Sequence, residues 1–432
     1  MRFVLLFPLL LVFFLTACQP TPAPPTPEPP KTTEEVEPAA IDPTPTNSVR
    51  EVPWSDVPPE LFQDGQIQAW ADALMNSATY YRRVPAETPF TFGATQVTAA
   101  QMHQATRELA ELARLNDPAK LQQTLQKRFR LFRSIGGNSK GNVLVTGYYE
   151  PLLHGSLTRS KRYFYPIYRL PPEGKKGKAP RYASREQIDA PFFAPPAPEP
   201  SKSSPPQKSG KGAKKSKKAK APKKVESALA NQGLELVWVD NVIDAFFLHI
   251  QGSGRVQLDN GQMMRIGYHG TNGKPYQAIG RILIDEGKIP HQEMTMPRLR
   301  QWLMDNPKEV KRIFFANPSY VYFRVQSEDA VGNINVPLTK ERSIATDHRL
   351  FPKGAPGVLM TTLPEFAADG KTVAKWNPDV RFIVNQDTGG AIRGAGRVDM
   401  FFGFGPGVEN RAGVMKQNGS RLYFIAPRTD LR

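Results

Sequence analysis

The last hundred residues leave few architectures open. They are short strand-like runs, VLMTTL, RFIVNQ, VDMFFGF and RLYFIA, separated by turns rich in glycine and proline. Short strands at this spacing predict a compact β-barrel. The first part of the chain has a different period. Ile67, Trp70, Ala71, Leu74, Ala78 and Tyr81 recur at helical spacing, and folded sequence is expected from near Trp54. A second helix is predicted over 99–115, with Met102, Leu109 and Leu112 inward. Asp117-Pro118 reads as an N-cap with proline at the first helical position, opening a third helix through Leu121, Leu125, Phe129 and Phe132.

Beyond Gly136-Gly137 the alternation of NVLVTGYYEP (142–151) predicts a strand with Leu144, Thr146 and Tyr148 on one face. LELVWVD (234–240) and AFFLHIQGSGRVQL (245–258) read as further strands, and Asp259-Asn260-Gly261 as a hairpin turn. Two helices are expected at 277–286 and 297–316, then a strand at SYVYFRV (319–325). No repeat with a period of 20–50 residues is visible.

Charge is unevenly spread along the 432 residues. The net charge is +17, and residues 201–224 alone supply ten lysines and no acidic residue, leaving +7 for the rest. The Pro- and Lys-rich segment 195–224 cannot bury a core and reads as a disordered loop within a β-rich region. Its cations suit an anionic lipid or polymer. A nucleic-acid role is disfavoured, because the N-terminus directs the chain out of the cytoplasm. Arg2 precedes an apolar run, Phe3 to Leu15, shorter than the ~20 residues of a membrane span. The run ends in Leu15-Thr16-Ala17-Cys18, which resembles a bacterial lipobox. Residues 1–17 are then a signal peptide, and Cys18, the sole cysteine, is the lipidation site. Gln19 points to the outer membrane of a Gram-negative bacterium, on its periplasmic face. Residues 18–50 form a Pro-rich, lipid-anchored linker.

The stretch DTGGAIRGAGRVDMFFGFG (387–405) is the candidate for a phosphate loop, a metal loop or a carboxylate site. It lacks the Lys-Ser/Thr of a phosphate loop, and Asp399 stands where a dinucleotide fingerprint needs its third glycine. Its two carboxylates are too few for a calcium loop. The six histidines show no paired spacing for a metal, and Gln251-Gly252-Ser253-Gly254 lacks the frame of a serine hydrolase elbow. Carboxylate chemistry remains. Alternation places Asp399 on one strand face with Arg397 and Phe401. The residues alone leave two readings open: a carboxylic acid aimed into a cleft, or an edge-strand aspartate paired with Arg397.

Seven motifs in order, TGYYEP, QGSG, GYHGTNGKPYQAIG, NPSYVYF, ATDHRLFPKG, DTGGAI and VDMFFG, resemble the membrane-bound lytic murein transglycosylase A family. That family has a domain named for three aspartates, matched here by Asp347, Asp387 and Asp399, and a family-specific inserted domain. The resemblance implies a mainly β fold with helices. A six-stranded double-psi β-barrel is expected from residues 51–151 and 330–432. A second β-rich domain is inserted at 152–329, and a groove lies between them.

The implied activity is cleavage of the β-1,4 bond between N-acetylmuramic acid and N-acetylglucosamine of peptidoglycan. The muramyl 6-hydroxyl attacks its own C1 and leaves a 1,6-anhydro end, with no metal or other cofactor. Asp399 is the implied acid and base, with Asp387 and Asp347 in support. Its role requires a raised pKa, so Arg397 is expected to turn away or to pair with Asp387. Thr146, Tyr148, Gln251, Ser253 and Tyr268 are expected to bind sugar. Expected partners are peptidoglycan strands, the outer membrane and other wall-remodelling proteins, with no nucleic acid. The competing functions are a hydrolytic muramidase on the same scaffold and a non-catalytic peptidoglycan-binding lipoprotein.

Overall fold

A computed structural model describes residues 43–137, 139–173, 180–193, 226–327 and 330–429. The signal peptide, Cys18, most of the linker and the 195–224 loop lie outside the described residues. Sheet structure begins earlier than expected, at β1 (Val49–Val52) rather than near Trp54. Helix α1 (Ile67–Arg83) follows, then the hairpin of β2 (Pro89–Phe92) and β3 (Thr95–Thr98). Helix α2 (Ala99–Leu115) starts in a capping box, Thr98 with Gln101, and α3 (Pro118–Arg128) on the Asp117 cap. The third helix is shorter than predicted. Phe129 and Phe132 belong to strand β4 (Phe129–Ser134), which is followed by β5 (Val143–Tyr148).

The middle of the chain contains β6 (Leu152–Ser156), β7 (Tyr165–Tyr168), α4 (Arg185–Asp189) and β8 (Glu235–Val239). The predicted strand at 245–258 is half helix. Its first half is helix α5 (Val242–Gln251), capped by the Asn241 side chain and closed by Gly252 at φ 82°; only β9 (Ser253–Leu258) is extended. Strand β10 (Met263–Thr271) completes the hairpin, and α6 (Ile279–Asp285) follows. The single helix expected over 297–316 is two, α7 (Met296–Asp305) and α8 (Pro307–Phe315). Pro307 cannot donate to the preceding turn, so it starts a new helix instead of continuing the old one. After β11 (Val321–Gln326) come β12 (Ser343–Ala345), β13 (Pro356–Phe366), β14 (Val373–Asp387), β15 (Arg397–Phe401), α9 (Val408–Gly413) and β16 (Lys416–Pro427).

Six of these strands close on themselves in the order β16-β13-β14-β12-β15-β5, with β5 returning to β16. This is a closed six-stranded barrel. Strands β4 and β1 extend it beyond β16. Two neighbouring pairs are parallel, β12 with β14 and β15 with β5; the remaining pairs in the ring are antiparallel. Alternate residues separate two cores. Leu359, Ile383, Val398, Met400, Leu422 and Phe424 share one apolar cluster, while Phe382, Val384, Tyr423 and Ile425 pack outward against α1 and α2. There Trp70 stacks on Phe382 at 4.2 Å and donates to the Ile383 carbonyl at 3.3 Å. Burying such a ring stabilises by roughly 3 kcal/mol.

A second, six-stranded sheet runs β11-β10-β9-β6-β8-β7. It curls far enough for Arg169, just after β7, to bridge Phe323 of β11. Helices α5 to α8 pack together through Phe246, Leu283, Trp302 and Phe314. Strand β5 ends where the chain crosses from barrel to second sheet, and this crossing is anchored. Arg255 of β9 donates from Nε and Nη2 to Glu150 Oε2 at 3.2 and 3.1 Å, and its guanidinium lies 4.1 Å from the Phe404 ring centroid.

Candidate active site

Asp399 lies mid-strand in β15, flanked by Thr146 of β5 on one side and Ala345 of β12 on the other. Thr146 Oγ1 donates to Asp399 Oδ1 at 2.9 Å. The glycine-rich approach makes this placement possible. Gly394 has φ +80°, and a Cβ on Gly396 would stand 2.5 Å from the backbone of Gly137. Two loops therefore meet backbone to backbone where β15 begins.

Arg397 neither turns away nor pairs with Asp387, contrary to the expectation from sequence. Its Nη2 donates to Thr146 Oγ1 at 3.4 Å, and its charge favours the ionised form of Asp399. Burial acts in the opposite sense and is the stronger influence. Desolvation pushes Asp399 up, the Thr146 hydrogen bond and Arg397 pull it down, and the Asp387 charge pushes it up again, leaving it at about 7. The edge-strand reading, with Arg397 as direct partner, gives way to a desolvated carboxyl whose nearest partner is a hydroxyl.

Asp387, the last residue of β14, is held by uncharged donors. Tyr148 Oη donates to Oδ2 at 2.8 Å and the Asn333 peptide N–H to Oδ1 at 3.0 Å. Burial raises it, and these bonds together with the Thr388 N–H offset only part of that, leaving it at about 6. Tyr148 is buried, with its ring 5.2 Å from that of Phe401.

Asp347 does a different job. Its buried carboxylate accepts from Arg349 Nε at 2.9 Å and Nη2 at 2.6 Å, and from the Gly394 N–H at 2.9 Å. Burial would raise it, but these donors outweigh burial and hold it well below the usual carboxylate range. It clamps the glycine-rich loop as a fixed anion. A depressed folded-state pKa gives stability that is present above the unfolded value of about 3.9 and is lost as pH falls below it. Asp347→Asn is therefore expected to lower the thermal midpoint at pH 7, and the gap to wild type is expected to narrow progressively as pH falls from about 4 to about 2. A gap unchanged down to that pH would refute the ionic clamp.

Of the five residues expected to bind sugar, Thr146 and Tyr148 join the aspartates, and the rest do not. Gln251 is buried at the end of α5: its Oε1 accepts from the Tyr149 N–H at 3.0 Å and its Nε2 donates to Met296 Sδ at 3.2 Å. Its amide is spent on the crossing between the sheets. Ser253 starts β9 opposite Gly267. Tyr268 lies on β10 and is half-exposed. Asn333 escaped the sequence reading because it acts through its backbone, for which no side-chain signal exists. Glu150 left a signal, an acidic residue closing an apolar strand in TGYYEP. Among the described residues, no three His, Cys, Asp or Glu side chains assemble as a metal-holding group.

Two domain families match this chain. The MltA specific insert domain matches residues 144–324, and the 3D domain matches residues 342–425. The membrane-bound lytic murein transglycosylase A of Escherichia coli (strain K12) is 31% identical over 287 residues, which are 66% of this chain and 66% of that protein. The alignment thus spans just under two thirds of the relative. Among solved structures, the membrane-bound lytic murein transglycosylase from Agrobacterium tumefaciens is 28% identical with a TM-score of 0.66, covering 88% of this chain and 98% of the other. E. coli MltA, solved with bound chitohexaose, shares the fold at 24% identity and a TM-score of 0.64, covering 89% and 96%.

Proposed function

This chain belongs to the membrane-bound lytic murein transglycosylase A family, and from that premise we propose that it cleaves peptidoglycan glycan strands without water. The bond broken joins N-acetylmuramic acid to N-acetylglucosamine, and the product carries a 1,6-anhydromuramic end. The observation that carries this reading is the setting of Asp399, mid-strand between β5 and β12 with the uncharged Thr146 hydroxyl as its direct partner at 2.9 Å. Burial there pushes its carboxyl up to about 7, towards the protonated form that a general acid requires.

The steps balance with one carboxyl. Asp399 gives its proton to the glycosidic oxygen as the C1–O bond breaks. The 6-hydroxyl of the same muramyl residue then attacks C1, and its proton passes to the Asp399 carboxylate, restoring the acid. Most glycosidases need a second carboxylate to position water. Here the nucleophile belongs to the substrate, and proximity replaces that second group. No step calls for a metal. Tyr268, with its exposed ring, and Ser253 are proposed sugar contacts on the second sheet. The relatives are described as membrane-bound, which supports a place in the cell envelope. Anchoring through Cys18 to the outer membrane, with the body on its periplasmic face, is part of the same proposal.

Reduction of released fragments with borohydride tests the reaction type. A lyase leaves anhydro ends that borohydride does not reduce, whereas a hydrolase leaves reducible ends. Thr146→Val tests the acid's environment. The Thr146 hydroxyl favours the carboxylate, so its removal is expected to move the alkaline limb of activity up by about one pH unit. A downward shift would contradict the assigned hydrogen bond.

A further inference from the structure

The two stretches of chain that join the barrel to the second sheet both end on Asp387. The outgoing one is β5, whose last residue, Tyr148, donates from its hydroxyl to Asp387 Oδ2 at 2.8 Å. The returning one is the 330–338 segment between β11 and β12, which delivers the Asn333 N–H to Oδ1 at 3.0 Å.

The returning segment is fixed from several sides. Ala330 and Leu338 pack with Tyr148, Ala345 and Phe401 in one apolar cluster. Arg83 of α1 donates to the Ile334 and Asn335 carbonyls at 2.7 and 2.8 Å, and Asn76 Nδ2 to the Pro337 carbonyl at 3.0 Å. Gly332 lies so close to β14 that a Cβ would stand 2.3 Å from the Gln386 carbonyl oxygen. This much scaffolding around one backbone N–H points to a positional requirement at Asp387.

Among the described residues, the donors to Asp387 are uncharged: Tyr148, Asn333 N–H and Thr388 N–H. The neighbouring cations are engaged elsewhere. Arg397 reaches Thr146 beside Asp399, and Arg349 pairs with Asp347. Hydrogen bonds from neutral donors stabilise an ionised carboxylate without cancelling its field. Ionised Asp387 is therefore a negative charge felt by Asp399, whose own surroundings otherwise supply Thr146 on β5, Arg397 on β15 and the uncharged Ala345 on β12.

We propose that Tyr148 and the Asn333 N–H are positioning groups, which hold Asp387 as a nearby negative charge that adds to burial in keeping the transferable proton on Asp399. Tyr148 then acts through Asp387 and is not a sugar contact, as the sequence had suggested. The inference rests on Asp399 being the acid. It also gives the two covalent links between barrel and second sheet a shared task in the reaction.

Tyr148→Phe is the direct test, because it keeps the ring against Phe401 and removes only the donor. Without that bond Asp387 binds a proton more readily, and the singly protonated pair carries its proton on the wrong carboxyl. The alkaline limb of kcat is expected to fall by about one pH unit and kcat at pH 7 by about fivefold, with KM within about twofold of wild type. The direction is opposite to that of Thr146→Val. Gly332→Ala, which displaces the returning segment while leaving Tyr148 intact, is expected to move the limb the same way and covers the case in which Tyr148→Phe fails to fold. An unmoved limb with a raised KM in Tyr148→Phe would make Tyr148 a sugar contact and overturn the proposal. The outcomes separate this idea from the reading beneath it. Full activity in Asp399→Asn, or reducible product ends, would defeat the general-acid lyase itself. An unmoved limb in an enzyme that still makes anhydro ends defeats only the positioning role.

Discussion

Asp399→Asn is expected to lower lysis of purified peptidoglycan sacculi by about 10³-fold or more, while sacculus binding and thermal stability stay near wild type. The magnitude follows from general acid catalysis, which contributes about 10²–10⁴-fold, and from the use of the same group as base in the second half of the reaction. Asparagine keeps the shape of the side chain and can still accept from Thr146, whose bond at 2.9 Å is the carboxyl's direct contact. It cannot give up a proton to a leaving oxygen. Relieving a desolvated carboxyl is not expected to harm folding. A variant that bound sacculi and still lysed them would remove Asp399 from the chemistry. One that lost binding as well would make Asp399 a substrate ligand instead of an acid.

The largest expected effect on stability lies at Arg342. Its guanidinium meets Asp64 in a two-pronged contact, Nη1 to Oδ2 at 2.5 Å and Nη2 to Oδ1 at 2.6 Å, and Nη1 also donates to the Phe382 carbonyl at 2.9 Å. Both side chains are buried. The pair ties the segment leading into α1 to the residue just before β12, the barrel strand beside Asp399. Burial would raise Asp64, but the Arg342 bonds and charge outweigh it and hold Asp64 below its usual value. Arg342→Met leaves that carboxylate buried without its partner, at an expected cost of about 3–5 kcal/mol in denaturant unfolding. Arg342→Met combined with Asp64→Leu is expected to recover most of the loss, because two apolar groups leave no stranded charge. A single variant within about 1 kcal/mol of wild type would show that the pair is relaxed by solvent.

The barrel was readable because its strands obey a simple alternation. In RFIVNQ, Phe382 faces Trp70 and Ile383 joins the opposite core, and the Gly/Pro turns mark the breaks. The errors fell where periodicity is ambiguous. AFFLHI is apolar on every side, so a strand and a buried helix look alike. The deciding signals were Asn241 ahead of it and Gly252 behind it, a cap at each end of a ten-residue helix. Pro307 likewise marked the break between α7 and α8. Phe129 and Phe132 extended a helical pattern by coincidence of spacing, although Phe129 and Leu131 already alternate as a buried strand face.

At the site, residue types were legible and their geometry was not. Asp387 and Asp399 stand out in a run of glycines and apolar residues. The direction in which Arg397 points depends on Thr146, which lies 251 residues away in the chain. The resemblance implies a supporting role for Asp347 and leaves its form open; its partners, Arg349 and the Gly394 N–H, are supplied only by the fold. Glutamine is a good sugar ligand by type, and sequence alone does not show that the Gln251 amide also accepts from the Tyr149 N–H at the crossing, a demand that only the tertiary fold creates.

Asp399 is expected to drive an intramolecular displacement in place of hydrolysis. Mass spectrometry of the muropeptides released from sacculi by wild type and by Asp399→Asn tests it most directly. The account predicts wild-type fragments lighter by one water than their hydrolytic counterparts, and almost no fragments from the variant at the same enzyme concentration. Fragments of hydrolytic mass from wild type, or an undiminished yield of the lighter ones from Asp399→Asn, would contradict it.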